Sequence, residues 1–206
     1  MARALDGRPI TSAWIGRSPV KGLGVYAFPP WSIEPAFVIE PRLEWVLPVR
    51  INGPSTFNLL AVWAMNHRAR ATYPIGPKRY QVQQGLDHYV PLLGPDPLVV
   101  AGDFNNNVTW DRPGQPSNHR ATVEQFARLG LVSAYHVARS VDFGAEREPT
   151  MYWRDRTENG PRYHIDFCFI PRDWMTPASS VKVGTFASWI SHSDHVPLVV
   201  TVAAVR

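Results

Sequence analysis

Apolar residues in this chain fall in short runs of strand length, and few stretches carry the spacing of a helix. Residues 57–65 form the strongest run. Leu59, Ala61 and Trp63 would share one face and Leu60, Val62 and Ala64 the other. Both faces are apolar, so this strand is expected at the centre of a sheet. Residues 24–28, 36–40 and 43–51 read as a meander of three further strands, and 98–101, 132–135, 150–153, 163–170, 181–183 and 198–203 also read as strands. Two helices are expected. One covers 77–92, with Pro77 in its first turn and Gly94 beyond its end; the other covers 119–129, capped by Asn118 and closed by Gly130. Many strands alternating with few helices predict an α/β sandwich. The prolines are scattered as turn markers and no repeat or low-complexity linker appears, so a single domain over 1–206 is expected.

Polar residues interrupt this pattern at three strand ends. The run Leu98-Val99-Val100-Ala101 stops at Gly102-Asp103-Phe104-Asn105. Asp103 and Asn105 lie two apart and share a face in extended backbone. A carboxylate and a carboxamide at a strand end suit a Mg²⁺-assisted phosphoryl site, although a strand ending in Gly-Asp also serves as an ordinary loop entry. In Tyr163-His164-Ile165-Asp166-Phe167-Cys168-Phe169-Ile170, alternation puts Asp166 on the face of His164 and Ile165, Phe167 and Phe169 on the other. Ser193-Asp194-His195 precedes the apolar strand Leu198-Val199-Val200-Thr201-Val202. An Asp-His pair at the mouth of a buried strand is expensive to desolvate, and a carboxylate is the usual partner that orients an imidazole for acid-base or transition-state work.

Taken in order, these three motifs resemble those of the endonuclease/exonuclease/phosphatase superfamily, which includes pancreatic-type deoxyribonucleases, apurinic endonucleases, inositol polyphosphate phosphatases and bacterial sphingomyelinases. The resemblance covers the chain from Trp14 onward. It implies two facing β-sheets flanked by helices, a four-layer α-β-β-α sandwich with the active site at one rim. It also implies hydrolysis of a phosphoester by in-line attack of water, with Mg²⁺ or Mn²⁺ as Lewis acid. Asp103 would position or deprotonate the water, Asn105 would hold the phosphate, Asp166 would orient His195, and His195 would bind the oxygen that gains charge. Asp194 and Asp103 would hold the metal. His164 stands where the family often has Arg.

Two departures qualify these expectations. The family begins with a strand carrying an Asn and a second strand ending in Gln-Glu, whose Glu is the principal metal ligand. Neither motif is found here, so the chain is expected to lack two strands and a helix at its N-terminal end; Glu34, Glu40 and Glu44 are carboxylates without that context. Trp63 occupies the place where deoxyribonuclease-like members carry a catalytic His, with Asn66 and His67 just beyond it. Trp63, His67 and Asn107 are therefore candidate substrate contacts, against packing for Trp63, plain solvent exposure for His67 and turn chemistry for Asn107. The alternative to an enzyme is a relative or fragment that binds a phosphate-containing ligand or partner without turnover.

Composition narrows the classes further. A hydrophobic content of 45% excludes a disordered chain. The net charge of +4 and pI near 9.5 favour a polyanionic substrate such as nucleic acid, but the basic residues are dispersed and fit a solvated surface equally. The single cysteine, Cys168, excludes an internal disulfide and suits a reduced, cytoplasmic setting. No apolar stretch reaches the length of a membrane span, and the N-terminal residues carry no hydrophobic signal region.

Overall fold

A computed structural model describes residues 7, 9–18, 20–34, 39–65, 80–115, 118–154 and 156–203. In chain order these form β1 (Thr11–Ser18), β2 (Lys21–Ala27), β3 (Ser32–Glu34), β4 (Val46–Asn52), β5 (Phe57–Trp63), α1 (Gln81–Tyr89), β6 (Leu98–Asp103), α2 (His119–Arg128), β7 (Leu131–Ser133), α3 (Ala134–Arg139), β8 (Met151–Tyr152), β9 (Arg162–Tyr163), β10 (Asp166–Pro171), β11 (Ser180–Val183), α4 (Phe186–Trp189) and β12 (Leu198–Thr201).

A six-stranded sheet in the order β3-β4-β5-β6-β10-β7 forms the centre. All its ladders are antiparallel except β5 with β6, which run parallel. A parallel pair needs a crossover, and α1 lies in it. Strand β5 is central and apolar on both sides, as its sequence predicts. Leu60 and Val62 pack toward α1 and α2 with Leu86, Phe126, Phe104, Phe167 and Phe169. Ala61 and Leu59 turn to the opposite face, where β1 and β2 add Val25, Ile15 and Leu23. Near β10 that second face is covered by α3, β11 and β12 through Tyr135, Val181, Leu198 and Val200.

The α/β class with flanked, facing sheets is therefore present. Among the described residues the facing layer is split, however: β1-β2 and β11-β12 are separate two-stranded ladders, each laid on a different part of the central sheet. No helix among the described residues is long and apolar enough to cross a membrane.

Several boundaries differ from expectation. Of the strand expected at 36–40, residues 36–38 lie outside the described residues, while Ile39 and Glu40 are not in a strand. Residues 77–79 of the first expected helix also lie outside, and the helix observed begins at Gln81. Residues 132–135 do not continue as a strand. Ser133 adopts the extended N-cap conformation and its hydroxyl meets His136 Nδ1 at 2.7 Å, so the chain turns into α3. The strand expected at 163–170 breaks at His164 and Ile165, because both side chains are buried and Thr150 Oγ1 accepts from the backbone N–H of both Ile165 and Asp166. The His164 ring lies 5.2 Å from that of Phe167, whereas Asp166 meets His195. By contrast, Asn118 caps α2 as expected, its Oδ1 accepting from the Ala121 N–H at 3.1 Å.

Candidate active site

The site begins with an ordinary strand that has one unusual residue near its end. Gly102 lies at φ +139°, and a Cβ there would sit 2.0 Å from the Val62 carbonyl oxygen. Only glycine lets β6 run this close to β5. Asp103 follows and pairs across the ladder with Asp166 of β10, so antiparallel register places two carboxylates side by side at one sheet end. Phe104 is then driven into the aromatic core, fully buried, and Tyr80 donates its hydroxyl hydrogen to the Phe104 carbonyl. This anchor fixes the turn into Asn105, whose left-handed φ of 46° suits asparagine better than most residues.

Asn105 is tied back to Asp103 by its backbone N–H to Oδ1 at 2.8 Å and by Nδ2 to Oδ2 at 2.7 Å. Its Nδ2 also donates to the Ala64 carbonyl at 2.7 Å. His195 arrives from the far end of the sequence. The backbone around it is clamped to β8: Tyr152 N–H donates to the Asp194 carbonyl, Val196 N–H to the Thr150 carbonyl, each at 2.8 Å. The imidazole then meets Asp166, Nδ1 to Oδ2, at 2.9 Å.

Asp103, Asp166 and His195 each bring a ligand atom within 4.8 Å of the others. Their titration reflects this crowding. Burial and the neighbouring Asp166 charge push the Asp103 carboxyl up to about 7. Burial works against charging His195, but the hydrogen bond and charge of Asp166, joined by Asp103 and Asp194, outweigh it and raise the imidazole to about 9. His195 is thus an imidazolium at neutral pH. The two carboxylates are hard oxygen donors placed to hold a divalent cation, which would lower the Asp103 carboxyl again, while the charged His195 stands beside them as a hydrogen-bond donor and not as a ligand.

The remaining expected site residues take different places. Asp194 is near enough to bias Asp103 and His195 electrostatically, but its carboxylate is not in the three-residue cluster. Asn107 is buried, and its side chain holds the loop: Nδ2 donates to the His164 carbonyl and Oδ1 accepts from Thr109, leaving it beneath the surface. Trp63 ends β5 opposite Asp103 in the parallel ladder, with the Lys21 ammonium 5.7 Å from its ring centre. His67 lies outside the described residues.

Sequence reasoning does not find two features beside this cluster. A cavity of about 450 Å³ opens next to Asn105, lined by Met65, Trp110, Met151, Trp153, Tyr163 and Ile165. Behind the loop, His136 Nε2 meets Glu146 Oε1 at 3.0 Å, both buried. Burial alone would raise Glu146, yet His136 and the Gly144 N–H hold it at about 2. These contacts join residues far apart in the chain, and no local pattern signals them.

No protein-family model matches the sequence, and no curated protein is similar to it in sequence. Solved structures do match. The 3′ phosphatase NExo from Neisseria, bound to a product DNA hairpin, superposes with a TM-score of 0.61 at 14% identity over 94% of this chain and 79% of its own. The endonuclease domain of TRAS1, a telomere-specific non-LTR retrotransposon, gives 0.56 at 16% identity over 94% and 78%. The mannosyl-6-phosphatase Bt3783 of Bacteroides thetaiotaomicron gives 0.51 at 16% identity over 96% and 79%. The fold is that of the endonuclease/exonuclease/phosphatase superfamily.

Proposed function

We propose that this chain is a divalent-metal-dependent phosphoester hydrolase, nuclease-like in cleaving phosphodiesters by direct attack of water. The observation that carries this reading is the convergence of Asp103, Asn105 and the Asp166–His195 pair from β6, β10 and the segment before β12.

Each group has a task its geometry suits. The Asp103 carboxylate, held by the Asn105 N–H and amide, is placed to accept a hydrogen bond from the attacking water and orient it. Asn105 holds the Asp103 carboxylate in place; both hydrogens of its amide are engaged, so donation to a phosphate oxygen would exchange its bond to Asp103. Asp166 fixes the imidazole through Nδ1. The charged His195 then offers its second N–H to the phosphoryl oxygen on which negative charge develops. Asp103 and Asp166 would hold the metal, with Asp194 alongside. When bound, Mg²⁺ or Mn²⁺ supplies Lewis-acid stabilisation of the phosphoryl oxygens.

The aromatic cavity beside Asn105 suits the flat, weakly polar part of a substrate, a base or sugar, next to the scissile phosphate. NExo is described bound to DNA, and Bt3783 as a sugar phosphatase. The basic net charge and this cavity together favour nucleic acid over a sugar phosphate for this chain.

A second reading, ligand binding without turnover, draws on one observation: among the described residues the facing layer is split. Turnover of bis(p-nitrophenyl) phosphate and of supercoiled plasmid, with Mg²⁺, Mn²⁺ or chelator, separates the two. The hydrolase reading expects metal-dependent cleavage of both substrates. Binding of a short DNA hairpin with no cleavage at any metal concentration would leave the second reading standing.

A further inference from the structure

We propose that Glu146 is a positioning residue of the candidate active site, whose buried carboxylate holds Asn107 and, through it, the entry of β10 that carries Asp166. Its role rests on the hydrolase reading of Asp103, Asp166 and His195.

The spacing of that cluster needs holding because the sheet ends there. Asp103 and Asp166 form the last rung between β6 and β10. Beyond that rung, single hydrogen bonds keep the two chains together. The Phe104 N–H donates to the Ile165 carbonyl at 2.9 Å, and Asn107 Nδ2 donates to the His164 carbonyl at 3.0 Å. The second is a side-chain contact, so it is only as fixed as the Asn107 amide. Thr109 donates to the oxygen of that amide, and the Glu146 carboxylate takes a further hydrogen bond from it. Asn107 lies two residues after Asn105, and His164 two before Asp166. A shift of this contact is therefore carried to both sides of the cluster.

Glu146 is built to stay still. Its side chain is 4% exposed, and His136 Nε2 and the Gly144 N–H each meet it at 3.0 Å. The partner is fixed in turn. The Ser133 hydroxyl meets His136 Nδ1 at 2.7 Å, and Phe143 stacks on the imidazole with ring centres 3.7 Å apart. Two residues beyond Glu146, the Glu148 carbonyl meets His164 Nδ1 at 2.7 Å, so one segment grips both ends of the Asn107–His164 contact. Core packing alone does not call for a carboxylate here. Phe143 and Phe167 both stack on His136, and apolar side chains of similar volume fill such a site at no greater cost than a buried ion pair. What the carboxylate adds is direction, because it fixes where its donors point. Glu146 neither lines the cavity beside Asn105 nor belongs to the three-residue cluster, so it acts through Asn107 and not on the substrate.

The test uses the full chain, with the His195 imidazole followed by NMR and assigned by the loss of its signal in His195→Ala. In the parent it should titrate at about 9, because Asp166 meets Nδ1. Glu146→Leu frees Asn107 and with it Asp166, so the titration should fall toward 6.5. In the same variant kcat for bis(p-nitrophenyl) phosphate should drop about tenfold or more, with KM held within about twofold. Glu146→Gln keeps the shape and an acceptor oxygen for Asn107, and should bring both readings back close to the parent. If Glu146→Leu does not fold, Asn107→Ala breaks the same contact from the loop side and should give the same fall. A folded Glu146→Leu or Asn107→Ala chain that melts lower but keeps His195 at about 9 overturns the proposal and makes Glu146 a residue of the core alone. So does a parent chain in which His195 titrates near 6.5, since Asp166 would then not be held against it. The titration is read without turnover, so a chain that hydrolyses nothing removes the hydrolase reading and leaves the NMR outcome to decide the positioning role.

Discussion

Asp103 is held in a condition that opposes folding. Its carboxyl stands at about 7 in the folded chain, against an ordinary value of 3.8. Between those values the folded protein binds a proton that the unfolded chain does not, so stability falls as pH rises through this window and stays low above it. Asp103→Asn should therefore be more stable than the parent at pH 8, on the order of 2 kcal/mol, with the gain shrinking toward pH 4. Urea unfolding at both pH values checks this; equal stability at pH 8 would mean that the carboxylate is not under strain. His119 has the opposite sign. It is fully buried among Phe104, Phe143 and Phe167, neither ring nitrogen has a hydrogen-bond partner, and burial lowers it to about 3. The unfolded chain binds the extra proton between about 3 and 6.5, so stability is lost as pH falls through that range. His119→Phe should stabilise by about 1–3 kcal/mol at neutral pH and flatten the acid side of the stability curve, read by thermal melts from pH 4 to 7. The two residues differ in legibility. Asp103 announces itself by ending an apolar run, whereas His119 is conspicuous only once the rings of distant segments close around it.

At the scale of elements, the turn at Gly102 decides where the chemistry sits. Gly102→Ala would drive a Cβ into the Val62 carbonyl at a backbone angle that L-residues avoid. The expected cost is about 3 kcal/mol or more, with loss of turnover, because β6 must move away from β5 and carry Asp103 with it. A stable, active variant would contradict the register described here. Elements whose signal is local were legible. The two apolar faces of β5 follow from its own residues, as does the Asn118 cap of α2. Elements set by a distant partner were not. Alternation extends the strand through His164, but Thr150 takes the N–H groups of Ile165 and Asp166 and ends it. Residues 132–135 look like a strand until Ser133 and His136 close a helix turn. Strand β1 carries no such signal, since its residues alternate weakly and include Gly16.

At the scale of the molecule, one sheet gathers the catalytic candidates at a single end, while among the described residues the layer facing it stands in two pieces. The order of the three motifs reveals the fold and the cluster. It does not reveal the aromatic cavity, because Met65, Trp110, Met151 and Tyr163 meet only through tertiary packing. Net charge belongs to this scale too. At +4, cleavage of plasmid should fall steeply as salt rises from 50 to 200 mM, while hydrolysis of bis(p-nitrophenyl) phosphate should hardly change. Equal sensitivity would argue for a small phosphate ester as substrate. The most direct test of the central claim is kcat for bis(p-nitrophenyl) phosphate in saturating Mn²⁺, measured for the parent chain, Asp103→Ala and His195→Ala, with circular dichroism to show that all three fold. The account predicts turnover in the parent and a loss of about a hundredfold or more in each variant. Turnover that persists in both folded variants would place the chemistry somewhere other than the β6–β10 end of the sheet.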